Sequence, residues 1–376
     1  MKRVKTGVVG CGFPFYFHTY DAESSSVIEY TAVYDIDLEK ARDIAESFGG
    51  GMTAYPTLEE MLASDIDAVL VSVPHYLHEE IVERCAGAGK HVLCEKPMAT
   101  TLEGCRRMIE AARRNKVKLM IAENHCFLPA HSWIRGAIAE GLIGEVNLVR
   151  AYEGVNEIEG LSRQGFWKGD LRMAGGGAFM DMAVHKFAAL EYILGDRVDS
   201  VTTLLRKQVT DLPEKGEDNA LSIATFQNGA IAEVAVSFTQ VTPATNSLEI
   251  YGTKGTIMEC HDDESPVRIF STSEQAGEEM QQEWYSPEIE HGAFPFYYFI
   301  SGRREDDHFA RCILEDREPD FSPEDAMSAV ECVLTGYLSF LERRPVRRGE
   351  LLELARTAGT RGILERLEGS IPARRK

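Results

Sequence analysis

Residues 4–12 read VKTGVVGCG, an apolar segment that ends in two glycines with one residue between them. Such a segment is typical of a short buried β-strand that runs straight into a tight turn. Gly10 and Gly12 would let backbone N–H groups approach a pyrophosphate at the start of the next helix, where the helix dipole favours negative charge. Phe15 stands where the usual dinucleotide-binding turn has a third glycine. Because two glycines occur in many tight turns, this signal alone is weak.

The segments that follow the turn indicate the type of fold in which it lies. Strand-like and helix-like patterns alternate along the first third of the chain. Four further strands are predicted at YTAVYDID, SDIDAVLVSVP, KHVLCEKP and KLMIAEN, with helices such as LEKARDIAESFG and LEGCRRMIEAARRN between them. This alternation predicts an α/β fold, a doubly wound parallel sheet with right-handed crossovers and helices on both faces.

Two polar residues follow strands of this predicted sheet. Asp35 ends the second strand, where its carboxylate would accept hydrogen bonds from the ribose hydroxyls of an adenosine and repel a 2′-phosphate. This favours NAD over NADP, although Asp35 could also be an ordinary acid in a loop. Lys96 follows the fourth strand, in the run CEKP. Since ligands bind outside the carboxyl ends of the strands, Lys96 is expected to point at the cofactor crevice.

A second informative segment is GGGAFMDMAVHK, residues 175–186. Three glycines run into a helical pattern that carries Asp181 and His185, one turn apart on one side of the helix. A carboxylate beside an imidazole can orient it and tune it as a proton acceptor. The glycines would let the backbone approach whatever lies in front of the helix. Aspartate and histidine at this spacing more often form a solvated ion pair. The pair therefore indicates a catalytic site only in combination with a redox cofactor.

Length, charge and cysteine content restrict the class of protein. With 376 residues, two domains are favoured over one. The formal net charge of −20 argues against nucleic acid and anionic membrane as partners. The eight cysteines are scattered, without the spacing of a zinc site, so we expect reduced thiols, a cytoplasmic location and no metal. No apolar stretch approaches the length that spans a bilayer.

The second half of the sequence changes from α/β alternation to strands in succession. Strands are predicted at VNLVRAY, ALSIATF and AIAEVAVSF, and Asn228-Gly229 predicts a hairpin turn between the last two. Residues 322–343 have the pattern of a long helix with Ser322 as its N-cap and Pro323 at its first position. The second domain is therefore expected to contain a different, hairpin-rich sheet.

Taken together, these motifs resemble those of the Gfo/Idh/MocA family of nicotinamide-dependent oxidoreductases. The matching runs, in the order of the family, are GVVGCG with His18 beyond it, the Asp35 strand end, SVPHYLH, CEKP, ENHCFLP, GLIGEV, GGGAFMDMAVH and IYGTKG. The resemblance implies an NAD-binding Rossmann domain over residues 1–124. It also implies a C-terminal α/β domain over residues 125–376 with a large, open, mostly antiparallel sheet. Because that sheet commonly forms a subunit interface, a homodimer or homotetramer is expected.

The resemblance also implies a reaction and the residues that carry it. A secondary hydroxyl of a sugar, inositol or glycoside would be oxidised, or the ketone reduced, with Lys96, Asp181 and His185 as the catalytic residues. His185 would act as the base, Lys96 would bind the reacting oxygen, and Asp181 would orient His185, bind a substrate hydroxyl, or both. The residues expected to bind NAD are Gly10, Gly12, Phe13, Pro14, Asp35, Ser72, Pro74, His75, His78, Glu95, Lys96 and Asn124. Those expected to bind substrate are Lys96, His125, Trp167, Arg172, Asp181 and His185.

Besides Phe15, the chain departs from the family pattern at two further positions, and two other functions stay open. His75 replaces a common asparagine, and Cys126 stands where an arginine is frequent. One alternative is a lyase or hydrolase that uses NAD for a transient oxidation. The other is a regulatory protein that only binds NAD(H), which has no need of a lysine, an aspartate and a histidine in these places.

Overall fold

The computed structural model describes residues 3–48, 51–209, 212, 214–261 and 264–373. The chain divides into two compact units. The first consists of Met1–Asn124 and Tyr298–Met327, and the second of His125–Tyr297 and Ser328–Lys376. Residues 298–327, which the sequence interpretation assigned to the second domain, therefore belong to the first unit. Across the described ranges, no helix has the length and apolar character needed to cross a membrane.

The first unit is built on a six-stranded parallel sheet. Its strands are β1 (Val4–Val9), β2 (Ile28–Tyr34), β3 (Thr53–Ala54), β4 (Ala68–Val71), β5 (His91–Glu95) and β6 (Leu119–Ala122). The helices between them are α1 (Phe13–Thr19), α2 (Leu38–Ser47), α3 (Leu58–Leu62), α4 (His78–Gly87) and α5 (Leu102–Asn115). The strand order β3-β2-β1-β4-β5-β6 is that of a Rossmann fold, with the change of direction between β1 and β4. Ligands bind at that point in such sheets.

The predicted strands of this sheet are short runs of buried, mostly apolar residues. All four residues of the central strand β4 are buried, as expected for a strand covered on both faces, and so are all four residues of the edge strand β6. The short strand β3 was not predicted. It has only two residues, too few for a periodic pattern.

The second unit is built on an eight-stranded sheet. Its strands are β7 (Val146–Gly154), β8 (Val198–Arg206), β9 (Asn219–Phe226), β10 (Ile231–Ser237), β11 (Thr245–Gly252), β12 (Gly255–Cys260), β13 (Val267–Ser271) and β14 (Val346–Arg347). Their order is β13-β12-β11-β7-β10-β9-β8-β14. All neighbours are antiparallel except β7 and β10, which are parallel. The predicted α/β fold class, with a parallel sheet and a mostly antiparallel one, is confirmed.

Helices occupy the remaining part of the chain from residue 129 onwards. They are α6 (Pro129–Ala139), α7 (Ile158–Leu161), α8 (Val184–Leu194), α9 (Glu278–Gln282), α10 (Phe296–Leu314), α11 (Pro323–Glu342), α12 (Arg348–Thr357) and α13 (Arg361–Leu367). Helix α8 packs on β7 and α12 packs on β8. Ser322 is the N-cap of α11, as predicted, because its hydroxyl accepts the Asp325 N–H at 3.1 Å.

The second sheet has one buried face and one face with exposed apolar residues. Alternate residues of β7, β8, β9 and β10 are buried, for example Val149 and Val234. The opposite face carries large apolar side chains that are 40–57% exposed, and these are Leu148, Leu204, Leu221, Ile223 and Ile231. The registers place Leu204 opposite Leu221 and Leu148 opposite Ile231. We call this set the exposed sheet face.

Candidate active site

The turn after β1 requires glycine at its first position. Gly10 has a φ of +93°, and a Cβ built on it would overlap the backbone carbonyl oxygen of Ser72. Only glycine tolerates both conditions. Gly12 faces more open space, because the nearest atom to a Cβ built there would be Cδ of Pro14 at 3.5 Å. The turn is therefore packed tightly against β4 on one side and more open at Gly12.

Asp35 connects the end of β2 to this turn. Its Oδ2 accepts the Cys11 N–H at 2.8 Å, and its Oδ1 accepts the Asp37 N–H at 3.0 Å. Lys40 Nζ lies 3.9 Å from Asp35 Oδ2. Burial, together with the charge of Asp35, raises the pKa of the Cys11 thiol to about 12, so this cysteine stays protonated. The carboxylate is thus beside the glycine turn, as expected for a residue that contacts an adenosine ribose.

Ser72 supplies a further sign of a ligand at this turn. It follows β4 directly and is 6% exposed, yet its hydroxyl has no hydrogen-bond partner in the described part of the chain. Buried polar groups are nearly always hydrogen-bonded, so an unsatisfied hydroxyl beside Gly10 is consistent with a missing ligand. A dinucleotide could be bound here by three groups together, namely the open turn at Gly12, the Asp35 carboxylate and the Ser72 hydroxyl.

Phe15 occupies the position of the missing third glycine. Its ring is 1% exposed and meets the ring of Phe48 edge-on, with 5.7 Å between the centroids. The side chain is therefore packed in the interior of the first unit. Phe13 and Tyr16, its neighbours in α1, are 69% and 57% exposed. The substitution of glycine by phenylalanine is thus accommodated by packing.

The end of β5 is held by two buried histidines. Glu95 Oε1 lies 3.0 Å from His18 Nε2, and Glu95 Oε2 accepts the backbone N–H of Lys96 at 3.2 Å. His78 Nδ1 lies 2.8 Å from the Pro97 carbonyl oxygen, and His78 Nε2 lies 2.9 Å from that of Val73. Burial lowers the pKa of His78.

These contacts bear on two predicted cofactor-binding residues. Both ring nitrogens of His78 face backbone carbonyls, so His78 ties the β4 and β5 loops together. Its predicted contact with the cofactor stays a prediction. Lys96 is half-buried at the end of β5, where its predicted role places it.

In the second unit, the three glycines pack against their own chain. A Cβ built on Gly177 would overlap the backbone carbonyl oxygen of Glu217. The Glu217 carboxylate accepts the N–H groups of Gly177 and Phe179 at 3.0 and 2.9 Å and the Tyr337 hydroxyl at 2.8 Å. Burial raises the pKa of Glu217. The glycines were expected to let the backbone approach a neighbouring group. In the structure, that group is the backbone at Glu217, just before β9.

Asp181 lies in a π-helical turn, Phe179–Ala183, and regular α-helix begins only at Val184. Its Oδ2 is 3.3 Å from Lys168 Nζ, which also donates to Glu157 Oε1 at 2.8 Å. Burial alone would lower the pKa of Lys168, but the charges of Asp181 and Glu157 outweigh it and raise that pKa. Lys168 is therefore a permanent cation held between two carboxylates.

His185 belongs to a buried row of polar side chains. Its ring is stacked on that of His125, with 4.4 Å between the centroids and 12° between the planes. His125 Nε2 lies 3.6 Å from Glu153 Oε1, and Glu153 Oε2 lies 3.8 Å from Lys186 Nζ. Lys186, which is 0% exposed, also donates to Asn246 Oδ1. The His185 imidazole is thus stacked on a second buried imidazole inside the second unit.

Comparison with known proteins decides the family. The model described as "Oxidoreductase family, NAD-binding Rossmann fold" matches residues 4–123, and that of the GFO/IDH/MocA C-terminal domain matches residues 131–258. The chain belongs to the Gfo/Idh/MocA family. The resemblance inferred from the sequence motifs is confirmed.

Three relatives of this Gfo/Idh/MocA protein illustrate the match. The 1,5-anhydro-D-fructose reductase of Ensifer adhaerens is 34% identical over 231 residues, which are 61% of this chain and 68% of the relative. The myo-inositol 2-dehydrogenase of Thermotoga maritima is 26% identical over 362 residues, 93% of this chain and all of the relative. The crystal structure of GenD2 from gentamicin A biosynthesis, in complex with NAD, has a TM-score of 0.78 at 26% identity and covers 92% of this chain and 97% of its own.

These findings establish the enzyme class of the Gfo/Idh/MocA protein. It is a nicotinamide-dependent dehydrogenase, as predicted, and its Rossmann domain binds a nicotinamide dinucleotide. The family is one of sugar and inositol dehydrogenases.

The remaining predicted site residues differ in their surroundings. Asn124 is buried and its amide donates to Ser301 Oγ at 3.0 Å. His75 is also buried, and Pro74 precedes it in the same loop. Trp167 is half-buried next to Lys168. The Arg172 side chain, in contrast, is 83% exposed and pairs with Glu368 at 3.2 Å. Of the predicted substrate residues, Arg172 has the least support.

Sequence reasoning missed several residues of the second unit. Glu153 and Lys186 are charged residues at buried positions of β7 and α8, and a charge inside an apolar pattern is the signal that could have identified them. Lys168, directly after Trp167, is a candidate pocket residue from the sequence, but nothing in the sequence predicts its pairing with Asp181. Glu217, on the loop before β9, carries no local signal at all.

Proposed function

We propose that this protein oxidises a secondary hydroxyl of a sugar, inositol or glycoside, or reduces the corresponding ketone, with NAD(H). The observation that carries the proposal is the environment of the catalytic pair. Asp181 and His185 are 6% and 8% exposed, and each contacts a second polar side chain, Lys168 for the carboxylate and His125 for the imidazole. A carboxylate and an imidazole held by such contacts can be presented to a substrate in a fixed geometry.

The proposed roles follow from the chemistry of the side chains. His185 accepts the proton of the substrate hydroxyl, since a nitrogen of a neutral imidazole is a proton acceptor. Lys96 donates a hydrogen bond to the same oxygen and stabilises negative charge as it develops. Asp181 accepts a hydrogen bond from a neighbouring substrate hydroxyl or orients His185, and Lys168 positions Asp181. When bound, the nicotinamide accepts the hydride that leaves the substrate carbon.

We propose NAD rather than NADP as the preferred cofactor. Asp35 supports this, because its half-buried carboxylate lies at the glycine turn and would repel a 2′-phosphate. Lys40 offsets only part of that charge, since its Nζ is 3.9 Å from Asp35 Oδ2 and its side chain is 46% exposed.

A neutral polyol is the proposed substrate. The charged groups around the catalytic pair leave a net negative charge, because the single ammonium of Lys168 lies between the two carboxylates of Asp181 and Glu157. An anionic ligand would therefore be repelled. A ligand rich in hydroxyls can donate to Asp181 without adding charge. The printed names of the relatives, a 1,5-anhydro-D-fructose reductase and a myo-inositol 2-dehydrogenase, belong to the same chemical class.

We further propose that two copies associate through the exposed sheet face. Five large apolar side chains at 40–57% exposure form a patch of the kind that marks an interface. In their midst Arg150 pairs with Glu233 and Glu249 at 3.2 and 3.1 Å, so most of the charge on this face is already paired within one chain. A second copy of the same sheet would present the same pattern, as a two-fold interface requires.

The proposed activity is tested by incubating the purified protein with NAD and a panel of sugars, inositols and glycosides, while NADH formation and products are followed. At least one polyol should yield NADH and an equal amount of ketone. Elimination or hydrolysis products without accumulated NADH would instead indicate the transient-oxidation alternative. Binding of NAD without turnover of any member of the panel, in either direction, would contradict the proposal.

A further inference from the structure

A buried cluster of acidic residues surrounds His18 in the first unit. His18 Nδ1 lies 2.7 Å from Asp306 Oδ1, and the Tyr30 hydroxyl donates to Asp306 Oδ2 at 2.7 Å. Glu305 is the next residue of α10, and Glu95 Oε1 lies 3.0 Å from His18 Nε2. We call His18, Glu305 and Asp306, together with Tyr30 and Glu95, the His18 cluster.

The cluster contains more negative charge than its protein partners can balance. His18, Glu305 and Asp306 are at most 2% exposed. Neither oxygen of Glu305 has a hydrogen-bond partner, and in the described ranges no lysine or arginine pairs with Glu305 or Asp306. Buried carboxylates of this kind need protons or a cation.

We propose that the His18 cluster is a binding site for one divalent transition-metal ion, with His18, Glu305 and Asp306 as ligands. One nitrogen of His18 and one oxygen of each carboxylate lie within 4.8 Å of one another. Ligands on a common ion, with bonds of about 2.1 Å, can be at most about 4.2 Å apart. A shift of about half an ångström in the side chains therefore suffices to close the site around an ion.

The contacts outside these ligand atoms match those of known metal sites. A ligating histidine usually donates its other ring N–H to a carboxylate, as His18 Nε2 can to Glu95 Oε1. Tyr30 likewise binds Asp306 Oδ2 and leaves Oδ1 for the ion. The ion would take the place of the hydrogen between His18 Nδ1 and Asp306 Oδ1. One imidazole and two carboxylates suit Mn²⁺, Fe²⁺ or Zn²⁺ better than Ca²⁺.

The site also has a connection to the proposed active site, although it does not depend on that proposal. Glu95 contacts His18 with one oxygen and accepts the Lys96 N–H with the other. An ion on His18 would fix this carboxylate and, with it, the backbone at Lys96. The expected role is to hold the strand end, not to take part in the chemistry.

The sequence could not have revealed this site. The absence of cysteine and histidine spacing predicted no metal, but such spacing is informative only for ligands on one segment. His18 lies on α1, whereas Glu305 and Asp306 lie on α10, nearly 290 residues later in the chain.

The test is a metal-binding measurement on the whole protein. Metal content is determined as purified, a chelator then removes bound ions, and Mn²⁺ is titrated while the free ion is followed by electron paramagnetic resonance. Mn²⁺ is chosen because it prefers oxygen and nitrogen over the thiolates of the eight cysteines. One Mn²⁺ per chain is expected. Glu305→Gln should weaken binding at least ~10-fold, a typical loss when a metal site is altered.

Two controls separate binding from folding. Asp307→Asn removes the adjacent charge of α10, which contacts Ser25 and Arg311 outside the cluster, and should change the affinity less than about 2-fold. Mn²⁺ should raise the melting temperature of the wild-type protein but not that of Glu305→Gln. Equal binding by wild type and Glu305→Gln, or no binding by folded wild type at millimolar Mn²⁺, would overturn the proposal and mean that protons balance the cluster.

Discussion

Lys168 Nζ lies 3.3 Å from Asp181 Oδ2, and this ion pair connects the loop before the glycine segment to the π-helical turn. A π-turn inside a helix is often found at functional sites, because it shifts one side chain relative to regular helical spacing. Glu157 contacts the same ammonium from the other side at 2.8 Å. Asp181 therefore has a fixed position that its spacing from His185 alone would not give.

Replacing Lys168 by methionine should lower kcat/KM about 10- to 100-fold, because Asp181 loses the cation that positions it. Lys168→Arg should retain most of the activity. The folded-state pKa of Lys168 lies above its ordinary value of 10.5, so the stabilisation from this pair is complete below pH 10.5 and disappears as the pH rises through the folded-state pKa. Activity measured between pH 6 and 9 should thus show no transition from Lys168. Unchanged kinetics in Lys168→Met would remove the pair from the mechanism.

Changing His185 to alanine should lower kcat at least ~10²-fold, the usual contribution of a general base. NAD affinity, measured by calorimetry, should change little, since the predicted cofactor contacts lie in the first unit. His291→Ala is a matched control, because that imidazole is half-buried and contacts the Ile289 carbonyl oxygen. If His185→Ala and His291→Ala were equally active, another residue would have to be the base.

Cofactor preference should change when the charge at the end of β2 is reversed. In the double variant Asp35→Ser and Ile36→Arg, the carboxylate is removed and an arginine occupies a position that is 95% exposed. The ratio of kcat/KM for NADP to that for NAD should rise at least ~10-fold, since a guanidinium binds a 2′-phosphate well. Asp37→Ser keeps an N-cap on α2 and should leave the ratio unchanged. A constant ratio in the double variant would mean that the ribose lies elsewhere.

Much of the fold could be predicted from sequence because its signals are local. The strands of the first sheet are apolar runs, and those of the second alternate with period two. The connectivity of α10 could not be predicted, because an amphipathic pattern does not say which sheet the helix packs on. Its contacts with the first unit include those of Asp306 with His18 and Tyr30, which are far away in the sequence.

Only part of the candidate site could be predicted from the sequence, again because some of its residues carry no local signal. Gly10, Asp35 and Lys96 each stand at a strand end, so the topology of the sheet already implies their position. Asp181 and Lys168 come from a turn and a loop, where no periodicity fixes direction. The π-turn directly follows glycines that pack on Glu217, a residue 40 positions away that the local pattern does not contain.

The exposed sheet face should control the oligomeric state. Ile223 is 44% exposed at the centre of this face, and Ile223→Asp would place a charge against the same surface of a second copy. Light scattering after size exclusion should give an assembly of two or more chains for the wild type and a monomer for the variant. Val241→Asp, at a residue that is 81% exposed outside the strands, should leave the assembly intact. A monomeric wild type would refute the interface.

A buried carboxylate between two histidines should dominate the acid stability of the second unit. Glu259 Oε2 lies 3.0 Å from His131 Nε2 and Glu259 Oε1 lies 2.6 Å from His261 Nε2. Burial alone would raise the pKa of Glu259, but the two histidines outweigh it and hold that pKa well below its ordinary value of 4.5. The stabilisation is therefore fully present above pH 4.5 and is lost as the pH falls through the folded-state pKa.

Glu259→Gln should accordingly lower the free energy of unfolding at pH 7 by about 3 kcal/mol, as expected when one partner of a buried pair is removed. Denaturant titrations at a series of pH values should show the difference from wild type shrinking below pH 4.5. Glu353→Gln removes an exposed pair with Arg356 and should cost at most about 0.5 kcal/mol at every pH. A difference that stayed constant down to the acid transition of the wild type would assign the stabilisation to packing instead of charge, because only a charge interaction disappears when the carboxylate is protonated.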